Sequence, residues 1–332
     1  MYATRDASPV RGTSASPRSL HVLDVTDFYS ETSSGGVKTY LEAKAAALAS
    51  LGIRHTIVVP GSTSRAESLG ESRLHRIAGR PLPMAPAYRI WTSSRQLGRI
   101  IEERRPDLIE VGSPFIVPRL LRRIPAVRET PKVGFYHADV VRTFAEPYVP
   151  NRLAAPLRVT ARMAARWMVR RVYRGFDATI GASRSVVEEL RGLGVPNVHH
   201  VPLGVDLDLF CPGAADPKAS RAEWGTPDPS VPVGIYVGRF CAEKRLDVVL
   251  DGHARLPLPE RPYLVLVGGG PLEEQMRLRG RSQERLMVRP DERDRPMLAR
   301  AYASADFYVA PGPGETFGLA IGEALASGLP VL

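Results

Sequence analysis

Cysteine is scarce in this 332-residue chain: only Cys211 and Cys241 occur, at a separation that suits neither a disulfide framework nor a thiolate metal site. Such usage fits a reducing cytosol. No apolar run reaches about 18 residues, so no transmembrane helix is expected. The first nineteen residues are Ser-, Arg-, Pro- and Gly-rich without an apolar stretch, so residues 1–19 are expected to form a disordered tail rather than a signal peptide. There is no G-x-G-x-x-G fingerprint, no P-loop Gly-Lys-Ser/Thr and no repeat of solenoid period. The basic residues lack interleaved aromatics and any nucleic-acid motif, so no nucleic acid partner is expected.

What remains is a globular composition, 44% hydrophobic and 24% charged, in a chain long enough for two cores. The net charge of +10 is uneven, with 30 Lys+Arg against 19 Asp+Glu up to residue 210 and 15 against 16 beyond it. The basic half points to an anionic partner, for which a membrane surface is the better candidate.

Apolar runs at Leu20–Val25, His55–Val59, Leu108–Val111, Lys132–Tyr136 and Ala178–Gly181 alternate with helical segments such as Val37–Leu51. A second series, Val233–Val237, Tyr263–Val267, Leu286–Val288 and Phe307–Ala310, begins after a Pro-, Gly- and Asp-rich stretch. This α/β alternation predicts two doubly wound, Rossmann-like domains, 20–205 and 206–332, with a ligand in the crevice at the strands' carboxyl ends. Pro330-Val331-Leu332 reads as the start of a further buried strand, so the C-terminal domain is expected to be incomplete.

Several segments carry candidate chemistry. In a helix entered just after Glu315, the period of about 3.6 residues places Glu315 and Glu323 on nearly one face, beginning at an N-terminus that favours an anion. An ordinary solvent-facing helix gives the same spacing, so upstream residues must decide. Gly238 leaves a strand, and Arg239 and Lys244 beyond it can straddle a diphosphate. Gly268-Gly269-Gly270-Pro271 follows the next strand, where either close approach to a ligand or a tight turn would need glycine. Gly35-Gly36-Val37 is the corresponding loop of the first domain, and His137 ends a strand where imidazole can bind a sugar hydroxyl. Asp206 and Asp208 form a D-x-D, read as a structural turn with no metal. Arg158, Arg162, Arg166, Arg170 and Arg174 recur every fourth residue, with Arg152 and Arg171 close by and Met163, Trp167, Met168 and Val172 interspersed. That pattern suits a helix lying on anionic lipid, and equally a solvated face over a buried apolar stripe.

Together these elements resemble glycosyltransferase family 4, retaining nucleotide-sugar transferases of GT-B fold, over roughly Leu20 to Leu332. The resemblance implies that Arg239 and Lys244 hold the donor diphosphate, Glu323 binds the ribose and Glu315 the hexose. It further implies that backbone amides at Phe317, Gly318 and Leu319 bind phosphate or sugar, that Gly238 and Gly269 line the donor, that Gly36 lets the domains close, and that His137 binds the hexose. No metal or cofactor beyond the nucleotide-sugar substrate is implied. The nearest likeness is to bacterial glycolipid mannosyltransferases. It implies transfer of mannose from GDP-mannose to a lipid-linked acceptor, in the cytoplasm with the Arg158–Arg174 helix against the inner membrane face. A UDP-sugar donor and a truncated, non-catalytic nucleotide- or lipid-binding relative are the alternatives.

Overall fold

The computed structural model describes residues 19–31, 35–82, 85–91, 93–137, 140, 155–226, 228–312, 315 and 317–332. Residues 1–18 of the expected tail, Arg152, Gly314 and Thr316 lie outside them. In the first half, β1 (His21–Val25), β2 (Arg54–Gly61), β4 (Ser72–Leu82), β6 (Leu108–Val111), β7 (Lys132–Tyr136), β8 (Ala178–Gly181) and β9 (Val198–His200) run parallel in the order β4-β2-β1-β6-β7-β8-β9. Between them run the helices α1 (Gly36–Ser50), α2 (Ser94–Arg104), α3 (Val117–Leu121), α4 (Ala155–Tyr173) and α5 (Arg184–Gly192). In the second half, β10 (Val233–Val237), β11 (Tyr263–Val267), β12 (Leu286–Arg289) and β13 (Phe307–Tyr308) form a parallel sheet ordered β12-β11-β10-β13. Its helices are α6 (Pro217–Trp224), α7 (Leu246–Arg255), α8 (Glu273–Ser282), α9 (Arg295–Ala303) and α10 (Leu319–Ala326). Val331 bridges to Tyr308 in parallel, as the strand-like ending of the sequence suggests.

The alternation of side chains along each strand fills both faces of each sheet. Ile235, Val265 and Val267 pack with Phe210, Tyr302 and Tyr308 on one side of the second sheet, while Tyr236, Leu264 and Leu266 pack with Phe240 and Leu250 on the other. The first sheet divides likewise, Leu23, Val25, Ile109 and Val111 on one face and Ile57, Val59 and Leu74 against α1 on the other. Side-chain caps close the starts of α2 (Ser93), α5 (Ser183) and α6 (Asp216).

The sequence reading missed β4 itself and the two strands that pair antiparallel with it, β3 (Arg65–Leu69) and β5 (Ala85–Trp91). β4 carries Arg73, Arg76 and Arg80 and is interrupted by Pro81, while β3 and β5 are short and mix polar with apolar residues, so the periodicity of all three is weak; pairing with one another stabilises them.

Both sheets seat an aromatic ring on a strand glycine. A Cβ at Gly134 would come 2.4 Å from Phe176, and one at Gly234 would come 2.5 Å from Phe307. Gly134→Ala or Gly234→Ala is therefore expected to destabilise the fold by about 1–3 kcal/mol. Urea unfolding followed by circular dichroism measures this, and a wild-type midpoint in both variants would contradict the packing.

Candidate active site

Strand order reverses direction between β1 and β6 in the first sheet and between β10 and β13 in the second. At such a reversal, successive connections depart to opposite faces and open a crevice at the carboxyl ends. The residues singled out from sequence gather at these two places or one strand away. Gly36 follows β1 and His137 follows β7; Gly238, Arg239 and Lys244 follow β10; Gly269 follows β11; and Glu315, Phe317, Gly318, Leu319 and Glu323 follow β13.

On the second domain's side, Lys244 closes a 3-10 turn (Ala242–Lys244), and its Nζ pairs with Glu315 Oε1. The glycine run after β11 has a definite packing role. A Cβ at Gly268 would fall 2.0 Å from the Gly238 carbonyl, and Phe240 N donates to Gly269 O at 2.8 Å. The two strand-exit loops thus lie directly against each other, which fixes the backbone around Arg239. Helix α10 is entered through Gly318 in the left-handed region (φ 81°), with no side chain capping its first N–H groups. Those groups remain oriented toward the crevice as partial positive charge.

Because α10 starts at Leu319, Glu315 is outside the helix, and the expected common face of Glu315 and Glu323 does not exist. The Pro- and Gly-rich approach delays helix entry by a turn. Glu315 is exposed beside Lys244, whereas Glu323 is only 4% exposed. Arg295 Nη1 donates to Glu323 Oε1 at 2.7 Å and Tyr302 OH to Oε2 at 3.1 Å. Arg295 in turn stacks on Phe210 at 4.6 Å. Burial, with the Glu323 charge, pushes the Tyr302 phenol well above its ordinary pKa, so it stays a donor. Asp206 Oδ1 accepts from the backbone N–H groups of Asp208 and Leu209 at 3.1 Å, making the D-x-D a turn.

On the first domain's side, α1 also begins without a side-chain cap, at Gly35. His137 lies between the Tyr40 and Phe135 rings, at centroid distances of 5.0 and 4.0 Å. Burial lowers its pKa to about 3, so the imidazole is neutral. Beneath it, Tyr40 OH donates to Glu110 Oε1 at 2.8 Å, and Lys44 Nζ bridges Glu110 Oε2 at 2.7 Å and Asp24 Oδ1 at 2.8 Å. His55 Nε2 lies 2.5 Å from Asp24 Oδ2, and its Nδ1 lies 2.9 Å from Ser72 Oγ. None of these partners was anticipated. The available signal was a single acid inside each apolar strand, Leu23-Asp24-Val25 and Ile109-Glu110-Val111, since buried acids need partners.

The two sides meet. A Cβ at Gly36 would lie 3.5 Å from Leu319 Cδ1, so the starts of α1 and α10 abut. The Arg239 guanidinium lies 5.5 Å from the ring centroid of Tyr88 on β5. Two uncapped helix starts, Arg239 and Lys244 therefore surround one crevice, an arrangement that favours an anion such as a phosphate.

Residues 34–209 match the family described as Glycosyltransferase Family 4, and residues 231–332 match Glycosyl transferases group 1. A GDP-mannose-dependent alpha-mannosyltransferase of Mycobacterium tuberculosis is 33% identical over 82% of this chain and 67% of its own length. A GDP-mannose-dependent alpha-(1-6)-phosphatidylinositol dimannoside mannosyltransferase of the same species is 30% identical over 94% and 79%. Among solved structures, Anabaena HepE in complex with UDP-glucose superposes with a TM-score of 0.66 at 17% identity, over 94% of this chain and 79% of that one, a likeness of fold. With its GT-B architecture and these matches, the chain belongs to glycosyltransferase family 4.

Proposed function

We propose that this enzyme transfers mannose from GDP-mannose, with retention of configuration, to a lipid-linked acceptor. The observation that carries the reading is the meeting of the α1 and α10 starts beside Arg239 and Lys244. A donor diphosphate set there would receive backbone N–H groups around Phe317, Gly318 and Leu319 from one side and the Gly36 helix start from the other. Gly238 and Gly269 would line its approach. Guanine and mannose are favoured because the mycobacterial relatives carry those names.

Arg239 and Lys244 would offset the charge developing on the departing diphosphate. Glu315, now paired with Lys244, would bind hexose hydroxyls, with neutral His137 opposite as a hydrogen-bonding partner for the sugar. Glu323, aimed by Arg295 and Tyr302, would bind the ribose. In the front-face route the acceptor oxygen attacks the anomeric carbon from the side the phosphate leaves. The C–O bond to phosphate breaks as the new one forms, and the phosphate oxygen takes the acceptor's proton. No metal is invoked.

Helix α4 supports a membrane position. Ala165, Met168, Val169, Val172 and Tyr173 pack into the core, whereas Val159, Met163 and Trp167 face outward, with Met163 66% and Trp167 63% exposed. The residues interspersed among the arginines therefore divide between the buried stripe and a second, outward one. Arg162, Arg166, Arg170, Arg171 and Arg174 are exposed around it, with Arg171 5.6 Å from the Trp167 ring; the Arg158 side chain is outside the described residues. Among the described residues no helix is long and apolar enough to cross a membrane. The proposed contact is shallow insertion into an anionic bilayer at the inner face of the cytoplasmic membrane.

Three experiments test this reading. In thermal-shift assays GDP and GDP-mannose at about 100 times Kd should stabilise by about 2.7 kcal/mol, a rise of a few degrees. A larger shift with UDP would replace the donor. Lys244→Ala is expected to lower transfer at least about 100-fold without unfolding. Glu323→Gln, which removes the charge that pairs with Arg295 but keeps the side chain's length and an acceptor oxygen, is expected to raise the donor KM. Wild-type kinetics in both would overturn the site. For the membrane, Trp167 emission should shift to the blue with phosphatidylglycerol vesicles and not with phosphatidylcholine, with binding weakened by salt. Undiminished binding by Met163→Ser/Trp167→Ser would remove α4 from the contact.

A further inference from the structure

A column of buried and half-buried polar side chains descends from the crevice into the first domain, and the transfer chemistry above uses only its top member, His137. His137 is at its top, packed on the Tyr40 and Phe135 rings, its Cδ2 3.2 Å from where a Cβ on Gly112 would sit. Next comes Tyr40 bonded to Glu110, then Lys44 between Glu110 and Asp24, then His55 and Ser72. The charged or titratable groups facing the column come from β1 (Asp24), β2 (His55), β6 (Glu110), α1 (Tyr40, Lys44) and the end of β7 (His137).

Anchoring α1 to the sheet would require only Lys44 between two acids. The column has more: a phenol that touches both an acid and the imidazole facing the crevice. We propose that Tyr40 is a positioning residue for the transfer reaction, orienting His137 through its ring and, through its hydroxyl, tying that orientation to the protonation of Glu110. The proposal rests on the reading that His137 faces the donor hexose.

The two acids differ in kind. Burial opposes the Asp24 carboxylate, but Lys44 and His55 outweigh it and hold its pKa at about 2. Burial and the neighbouring Asp24 charge push Glu110 up to about 7, against the pull of Lys44 and Tyr40. Above that value both Glu110 oxygens accept, as observed. Below it, one oxygen carries a proton and becomes a donor, so one of its two donors loses an acceptor. Lys44 is charged and still held by Asp24, so the rearrangement falls on Tyr40, whose hydroxyl must turn to accept. The ring under His137 then shifts, and turnover declines as pH falls through about 7.

The test combines spectroscopy with kinetics. The His137 Cε1–H resonance, assigned by its loss in His137→Gln, should move with a midpoint near 7 although His137 itself titrates far lower. In Glu110→Gln that movement should vanish. Tyr40→Phe, which keeps the ring, should lower kcat about tenfold with donor KM nearly unchanged, equivalent to about 1.4 kcal/mol. The acidic limb of the kcat profile should be lost in Glu110→Gln. Urea unfolding of each variant confirms that the protein assayed is folded. Absence of the midpoint in wild type, its persistence in Glu110→Gln, or wild-type kcat in Tyr40→Phe would each overturn the proposal. Wild-type turnover in His137→Ala would instead sink the placement of His137 at the donor, while the resonance experiment would still decide whether the column couples the two groups.

Discussion

Reversing the direction in which a parallel sheet is wound leaves a gap that no connection can fill, and this constraint governs the rest of the molecule. Helices that follow β1 and β6 depart to opposite faces of the first sheet, as do those flanking β10 and β13 in the second. The strands' carboxyl ends and the helices' N-termini are left without covering structure. Gly35 and Gly318 enter α1 and α10 there, and neither helix receives a side-chain cap. Ser93, Ser183 and Asp216 cap α2, α5 and α6, whereas α7, α8 and α9 likewise start without a side-chain cap. What sets α1 and α10 apart is that their uncapped starts face each other across the crevice, where an anionic ligand can meet both.

Electrostatics on the two sides of the crevice are organised differently. The second domain presents mobile-length cations near the solvent, Arg239 and Lys244, with Glu315 as a partner that a sugar could displace. The first domain carries its charges beneath the surface, where a half-buried Lys44 balances the buried Asp24 and Glu110. A low-dielectric position makes each of those charges sensitive to its neighbours. That sensitivity holds Asp24 low and Glu110 high within one cluster.

Helix α4 illustrates how a one-dimensional pattern can contain two stripes. Its apolar residues divide between a face that enters the core with Val169 and Tyr173 and a face that leaves Met163 and Trp167 in the open. The arginines border the second face, so their aliphatic stems extend an apolar surface while their heads remain hydrated.

Much of this protein was legible in its sequence. Apolar runs of three to six residues ending in Gly, Pro or polar loops specify buried parallel strands, and nine such runs coincide with strands of the two sheets. Gly36, His137, Arg239, Lys244 and Glu315 were recognisable because they follow strand ends, a relation written in local order. Tertiary structure alone decided the rest. The antiparallel β3 and β5 depend on pairing with β4, and none of the three contains a sustained apolar run to mark it. Glu323 turned inward to Arg295 and Tyr302, and α10 began too late for the helical spacing to bring Glu315 beside it. Tyr40, Lys44, Asp24, Glu110 and His55 come from four elements and converge only when those elements pack. Local sequence determines which backbone a segment favours because that choice depends on near neighbours. The partners of a buried charge are set by segments distant in the chain, and only the assembled fold specifies them.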